Sequence, residues 1–488
     1  MILEQSLKLA LIIIVLVYVL LILGVAYYFY RKTKTYDQYN MGGRSMPMIP
    51  MILTTVGLGI GGSTLLGYMS DAYALGYGRV WLTMSTTIVF VIFTAFFVKP
   101  VRKLGDKHKF FTIGDYAAYR YGKAARLPTF IGNLFAIGAL TGLQFVALAT
   151  ILNLLFDVNI VTGIIIAAVF LTIKTYLGGL TAVIWTDAIQ GTIQTVGISL
   201  LFFVIYFQSG GFGEVAENIQ QIPSVDTHYL KIFNIPLSSI LIPLLTMGAA
   251  VLVRQDTWQR VWASKDINVA RNSNWWAALI MALTGAIIII VGVFARGGLG
   301  IETDQPALVY YHVIFEYLPV ALGLILFVTL VATILSSADS FFIAGSTMLV
   351  TDMVKPFIKS PTGDKMLRYS RLMVLVMGAF GLFLALTIPR LIELWITGSA
   401  ILAAGILIPI VMGMFWERPS NLAGVTSMWV GILVAVFWQI AGHPFDIHPV
   451  FIGMPMCFIV FMIMTFTTFE DKSSIDKKKS LVKVKKVF

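Results

Sequence analysis

Val331-Ala332-Thr333-Ile334-Leu335-Ser336-Ser337-Ala338-Asp339-Ser340 sets five oxygen-bearing side chains inside an apolar run that begins near Leu318 and is long enough to cross a bilayer. Thr333, Ser336, Ser337 and Ser340 are spaced three or four residues apart, so on a helix they form one stripe with Asp339 beside it. Lipid does not solvate a carboxylate, so an acid at this depth faces a partner, a cavity or an ion. Hydroxyls with a carboxylate suit a hard cation such as Na⁺, whereas Zn²⁺ or copper calls for His and Cys. The plainer alternative is that each hydroxyl bonds back to the carbonyl four residues earlier and helps helices pack, with Asp339 in an internal salt bridge. The stripe as a whole, with its acid, reads as an ion site.

Around that stretch the composition belongs to an integral membrane protein: 58% of the 488 residues are hydrophobic and 12% charged, and the mean hydropathy is +0.87. The first apolar run, about Leu7 to Tyr30, is too long for a signal-peptide core and lacks a small-residue cleavage site after it, so it reads as a retained helix. A single cysteine, Cys457, excludes an internal disulfide framework, and the five histidines fall in or near expected loops, which speaks against a His-based metalloenzyme in the membrane.

Apolar stretches of roughly 18 to 28 residues number thirteen, starting near residues 6, 47, 81, 128, 159, 181, 234, 274, 319, 370, 392, 420 and 448. With the N-terminus outside, 30 of the 35 Lys and Arg lie in or at the edges of the loops on the opposite side, so those loops are expected to be cytoplasmic, the N-terminus extracytoplasmic and the C-terminus cytoplasmic. This topology absorbs the net charge of +11 without a nucleic-acid partner. The tail from Lys477-Lys478-Lys479 to Lys486 then reads as a disordered arm lying on anionic lipid.

The second run is irregular. Thr54-Thr55-Val56-Gly57-Leu58-Gly59-Ile60-Gly61-Gly62-Ser63-Thr64 carries four glycines in six positions near mid-membrane. Such a segment either crosses another helix closely or breaks, freeing backbone groups to line a site. Four glycines followed by two hydroxyls point to the broken helix. The sixth run opens after Gly178-Gly179 and carries Asp187, about nine residues or ~13 Å along the helix from that turn. Its alternatives are an interfacial cap or a partner for Lys174. Asp339 is expected at a similar depth. Arg254-Gln255-Asp256-Thr257-Trp258-Gln259-Arg260, after the seventh run, reads as a cytoplasmic anchor with snorkelling arginines. No phosphate loop, HExxH or GxSxG occurs, so the chain is not expected to be an enzyme or to be driven by ATP.

Gly42-Gly43-Arg44-Ser45, the glycine-rich second run, Gly179-Leu180-Thr181-Ala182-Val183-Ile184-Trp185-Thr186-Asp187-Ala188-Ile189-Gln190 and Ser336-Ser337-Ala338-Asp339-Ser340 closely resemble the sodium/solute symporter family, which includes proline, pantothenate, sialic acid and sugar carriers. The resemblance implies an all-α membrane protein of about thirteen helices with a LeuT-type five-plus-five inverted repeat and broken helices. Its parts would be residues 1–46 (extra helix and cytoplasmic loop), 47–207 and 208–416 (the two repeats), 417–469 (the last two helices) and 470–488 (the tail). It implies Na⁺ as coupling ion, held by the backbone carbonyls of Gly57, Ile60 and Thr333 and the hydroxyls of Ser336 and Ser337. A second cation or proton site would lie at Asp187, Asp339 and Ser340. The solute, a small amino acid, monocarboxylate or similar molecule, would lie near Gly59, Gly61, Thr64 and Gln144. The implied activity is Na⁺-coupled import across the cell membrane by a monomer. H⁺ coupling through the two acids is the alternative within transport, and a membrane sensor is the alternative outside it, although no appended soluble output domain is seen.

Overall fold

The computed structural model describes residues 4–468 apart from 177, 224, 227, 234 and 359–361, so the Lys-rich tail expected from residue 470 lies outside the described residues. Within them every regular element is a helix. Eleven helices are long and apolar enough to cross a membrane, and Met48–Gly59 with Gly62–Leu75, joined across a 46° bend, makes a twelfth span. Thirteen were expected. The difference is Ile160–Tyr176, which is apolar but has only 17 residues, about 26 Å of helix at 1.5 Å per residue.

In chain order the elements that matter are α1 (Gln5–Lys32), α2 (Met48–Gly59), α3 (Gly62–Leu75), α4 (Tyr77–His108), α5 (Lys123–Phe156), α6 (Ile160–Tyr176), α7 (Leu180–Gln208), α8 (Ser238–Ala263), α9 (Ile267–Gly297), α10 (Val320–Phe357), α11 (Gly363–Thr387) and α12 (Leu391–Phe415). Lipid contact and burial sort them. On α1 only Leu11, Tyr18 and Ile22 are buried, while Leu9, Ile13, Leu16, Leu20 and Leu21 are exposed, the surface of a peripheral helix facing hydrocarbon. At the other extreme, every residue of α10 from Thr329 through Asp352 is buried, because α5, α6, α7 and α11 pack around it. A helix apolar on all faces belongs in such a place, and its few polar groups are thereby forced to find partners inside the protein.

α7 packs along both α2 and α10, and α9 lies against α2 and α3. The opening stretch and the glycine-rich stretch therefore meet in the middle of the molecule, with Asp187 on the helix that joins them.

The Arg254–Arg260 block departs from expectation. It is not an interfacial anchor. α8 is interrupted at Leu252–Arg254, where Arg254 turns extended (φ −87, ψ 133), and then resumes as Gln255–Ala263, all nine residues of which are buried. The end of this segment is held by Arg102, which donates to the carbonyls of Val261, Trp262 and Ser264. Those carbonyls have no partner within the helix, so a guanidinium fork from α4 satisfies several at once.

Candidate functional site

At the bend, Ile60 (φ −113, ψ 78) closes α2 and Gly61 (φ −83, ψ 173) opens α3. Helical bonding lapses here, and other groups take up the freed backbone. Gln194 Nε2 donates to the Ile60 carbonyl at 2.5 Å, Ser337 Oγ donates to the Gly57 carbonyl at 2.8 Å, and the Thr64 hydroxyl bridges Gly59 O and Gly61 N at 3.3 Å each. Glycine is what permits α10 to come this close. A Cβ on Gly57 would lie 2.8 Å from Ser336 Oγ, and one on Gly61 would lie 2.9 Å from Ser337 Oγ and 3.3 Å from Gln144 Nε2. The two readings of the glycine run are thus both realised: the helix breaks, and the break is also the closest crossing with α10.

The structure brings Gly57 against Ser336 and Ser337, with Ile60 at the break itself. Thr333 lies one turn earlier on α10 with its hydroxyl bonded to the Thr329 carbonyl at 2.7 Å, so its own carbonyl is what it offers. All of these groups are oxygens, and among the described residues no cluster of three or more His, Cys, Asp or Glu stands anywhere as an alternative metal site.

Asp187 sits beside this set on α7, fully buried. It accepts from Ser336 Oγ and Thr54 Oγ1 at 2.5 Å each and from Ser340 Oγ at 3.1 Å. Facing it at 3.6 Å is Arg260, which also donates to Thr54 Oγ1 at 3.0 Å and Ser340 Oγ at 2.6 Å. The two hydroxyls relay between a buried carboxylate and a buried guanidinium, so the pair carries no net charge.

Asp339 does not join Asp187. Its oxygens accept from Lys174 Nζ and Thr175 Oγ1, each at 2.6 Å, and Lys174 also donates to the Leu335 carbonyl at 3.3 Å. The side chains of Lys174 and Asp339 are 3% and 8% exposed, so this ion pair is internal. Of the residues expected to share a second site, Ser340 bonds to Asp187, while Asp339 turns to Lys174 and Thr175 on α6. A proton held between two adjacent carboxylates needs them side by side; here each has its own cation.

A narrow cavity of about 40 Å³ adjoins the break. Gly59 and Ile60 form one wall, α4 contributes Thr83, Thr86, Thr87 and Phe90, α8 contributes Val251, Arg254, Thr257 and Arg260, and α9 contributes Asn274 and Met281. Tyr68 and Trp395 also line it and stack nearly parallel, 6.1 Å apart at 4°. One turn along α3 and α12 from that pair, a broader cleft of about 920 Å³ opens over Ser70, Asp71, Ile392 and Glu393. Of the residues expected near a solute, Gly59 lines the cavity. Gly61 and Gln144 lie on the α10 side of the break, where Gln144 Nε2 reaches Ser63 Oγ at 3.5 Å and Leu140 O at 3.4 Å, and Thr64 is engaged within the break itself.

Sequence reading gave no site role to Thr54, Gln194 or the α4 hydroxyls, took Arg254 and Arg260 for an anchor, and weighed Lys174 as a partner of Asp187, where the structure pairs it with Asp339. Their signals were present but local: a polar block with two arginines directly after Val251-Leu252-Val253, and a lysine one residue before Thr175 near a turn.

The sodium/pantothenate symporter of Haemophilus influenzae is 25% identical over 456 residues, covering 90% of this chain and 93% of that protein. The sodium/proline symporter of Escherichia coli is 24% identical over 465 residues, 90% of each. Among solved structures the fold is similar to that of a substrate-bound, outward-open Na⁺-coupled sialic acid symporter, with a TM-score of 0.78 at 19% identity over 94% of this chain and 98% of that one. The fold is also similar to that of MHP1, a nucleobase-cation-symport-1 family transporter, with a TM-score of 0.56 at 14% identity over 91% of this chain and 94% of that one. Sequence, fold and an all-oxygen cluster at a broken helix agree with the family model that matches residues 39–431: the chain belongs to the sodium:solute symporter family.

Proposed function

We propose that this protein imports a small organic solute by coupling it to Na⁺ through alternating access. The observation that carries this reading is the meeting of Gly57 with Ser336 and Ser337 at the α2–α3 break, where the Ile60 carbonyl accepts from Gln194. Hard oxygens from a backbone break and from a neighbouring helix suit Na⁺, and the Thr333 carbonyl completes the proposed set. Na⁺ bound there holds the break against α10. Its occupancy thus biases how the two halves of the protein, residues 47–207 and 208–416, sit relative to one another, and a ligand shifts such an equilibrium by its differential affinity for the two arrangements. The solute occupies the cavity beside Gly59, and the Tyr68–Trp395 pair separates it from the broader cleft. The distribution of Lys and Arg supports an extracytoplasmic N-terminus and a cytoplasmic C-terminus in the plasma membrane, and the site lies within one chain, in keeping with a working monomer.

The test uses purified protein and Na⁺ against K⁺. Na⁺ raises the unfolding temperature because it binds the folded state only. Loss of one charge-coordinating hydroxyl is expected to weaken Na⁺ by about 10- to 100-fold, so Ser336→Ala and Ser337→Ala should each move the Na⁺ midpoint of this stabilisation upward while K⁺ stays without effect. Wild-type Na⁺ midpoints in both variants would remove the ion from this stretch.

A further inference from the structure

Two arginines line the cavity, and only one is spent. Arg260 is engaged by Thr54, Ser340, the Asp256 carbonyl and Asp187. Arg254 is also buried, at 5% exposure, but it donates only from Nε, to Asp256 Oδ1 at 2.6 Å. Among the described residues neither of its terminal nitrogens has a hydrogen-bond partner. Two further cavity-lining groups, Thr83 Oγ1 and Trp395 Nε1, are buried and without a hydrogen-bond partner. Arg254 lines the cavity, so its unpaired guanidinium edge is open to an anion there.

Resting on the symport reading of this same cavity, we propose that the transported solute is a small monocarboxylate whose carboxyl group docks on the free edge of Arg254. The planar guanidinium fork matches a carboxylate bidentately. Thr83 and Trp395 supply hydrogen-bonding groups for the rest of the solute, and Leu58, Phe90, Val251 and Met281 provide an apolar wall for its carbon skeleton. None of the lining residues is acidic, so the ammonium of an amino acid finds no carboxylate there. Charge balance makes the same choice. Arg254 with Asp256 and Arg260 with Asp187 are already neutral pairs. One added carboxylate brings one negative charge, and one Na⁺ on the neighbouring Ile60 carbonyl cancels it. Solute and ion thus favour each other's binding, which is the thermodynamic content of coupling.

The experiment measures binding to the purified full chain by calorimetry, in NaCl and in KCl. The probes are acetate, propionate, butyrate and lactate, the matching amides propionamide and lactamide, L-proline and glucose. At least one acid is expected to bind in NaCl, its amide at least about 10-fold more weakly. Arg254→Gln should weaken the acid about 100-fold, and Arg254→Lys, which keeps the charge without the fork, about 10-fold. Na⁺ stabilisation of Arg254→Gln should persist, showing that the variant folds and keeps its ion site. No binding by any acid, preference for an amide, proline or glucose, or wild-type acid affinity in Arg254→Gln overturns the proposal. A neutral solute that binds only in NaCl sinks this inference and leaves Na⁺ symport standing. An acid that binds equally in NaCl and KCl and is lost in Arg254→Gln upholds the inference and sinks Na⁺ coupling.

Discussion

Lys174→Ala is expected to destabilise the folded protein by about 3–5 kcal/mol, because it strands the Asp339 carboxylate inside the membrane domain without its counter-charge. The argument rests on burial and geometry. The ammonium lies 2.6 Å from Asp339, both side chains are more than nine-tenths buried, and Thr175 is the only other side chain bonded to that carboxylate among the described residues. Replacing the pair by apolar side chains of similar volume, Lys174→Met with Asp339→Leu, should restore most of the loss, since a buried ion pair and a packed apolar pair differ far less than either differs from a lone charge. The unfolding transition of detergent-solubilised protein reads both. The same variants also report on ion number. With Lys174 standing as the resident cation, Asp339→Ser should lower stability but leave the steepness of the Na⁺ dependence unchanged. If Lys174→Ala keeps wild-type stability in Na⁺ alone and its Na⁺ dependence steepens, Asp339 has recruited a second Na⁺, and the ammonium is merely its competitor.

That pair marks the limit of what was legible in the chain. The hydroxyl stripe of Thr333 to Ser340 and the glycines of residues 57 to 62 announce themselves through spacing and cost, since polar groups and glycine are both unfavourable within an apolar span. Both proved to face one another. Lys174 is different: its partner is 165 residues away, and the only local cue, a turn at Gly178-Gly179, placed it at an interface. Arg260 is similar, since its partner Asp187 lies on another helix, whereas Arg254 pairs with Asp256 inside the same block. A run of seven residues with two arginines and an aspartate ends an apolar stretch, so hydropathy closes the span there. The chain instead breaks for three residues and re-enters as a buried helix, which is tolerable because Asp256, Asp187 and two hydroxyls neutralise what hydropathy counts as charge. Hydropathy scores residues one at a time, whereas burial of charge is decided in pairs.

Asp187→Asn is expected to weaken Na⁺ by about 30- to 100-fold, and the reason is electrostatic. Asparagine keeps the shape of aspartate and still offers one acceptor, so the hydroxyls of Ser336, Thr54 and Ser340 have room to rotate into new hydrogen bonds. What it removes is the negative charge that offsets Arg260, 3.6 Å away. The guanidinium then stands uncompensated beside the proposed Na⁺ ligands. Two like unit charges some 7 Å apart at an effective dielectric near 20 repel by about 2.4 kcal/mol, which is roughly 60-fold in affinity. Sign and cause are separable. Arg260→Gln alone should tighten Na⁺, because it leaves an unbalanced negative charge, though at a cost in stability from the unpaired carboxylate. The double variant Asp187→Asn with Arg260→Gln restores neutrality and should return the Na⁺ midpoint to within a few-fold of the starting protein. Na⁺-dependent thermal stabilisation measures all three. A double variant as weak as Asp187→Asn would mean that the carboxylate acts by orienting Ser336 and not through its charge. An unchanged midpoint in Asp187→Asn itself would reduce the pair to a clasp between α7 and α8.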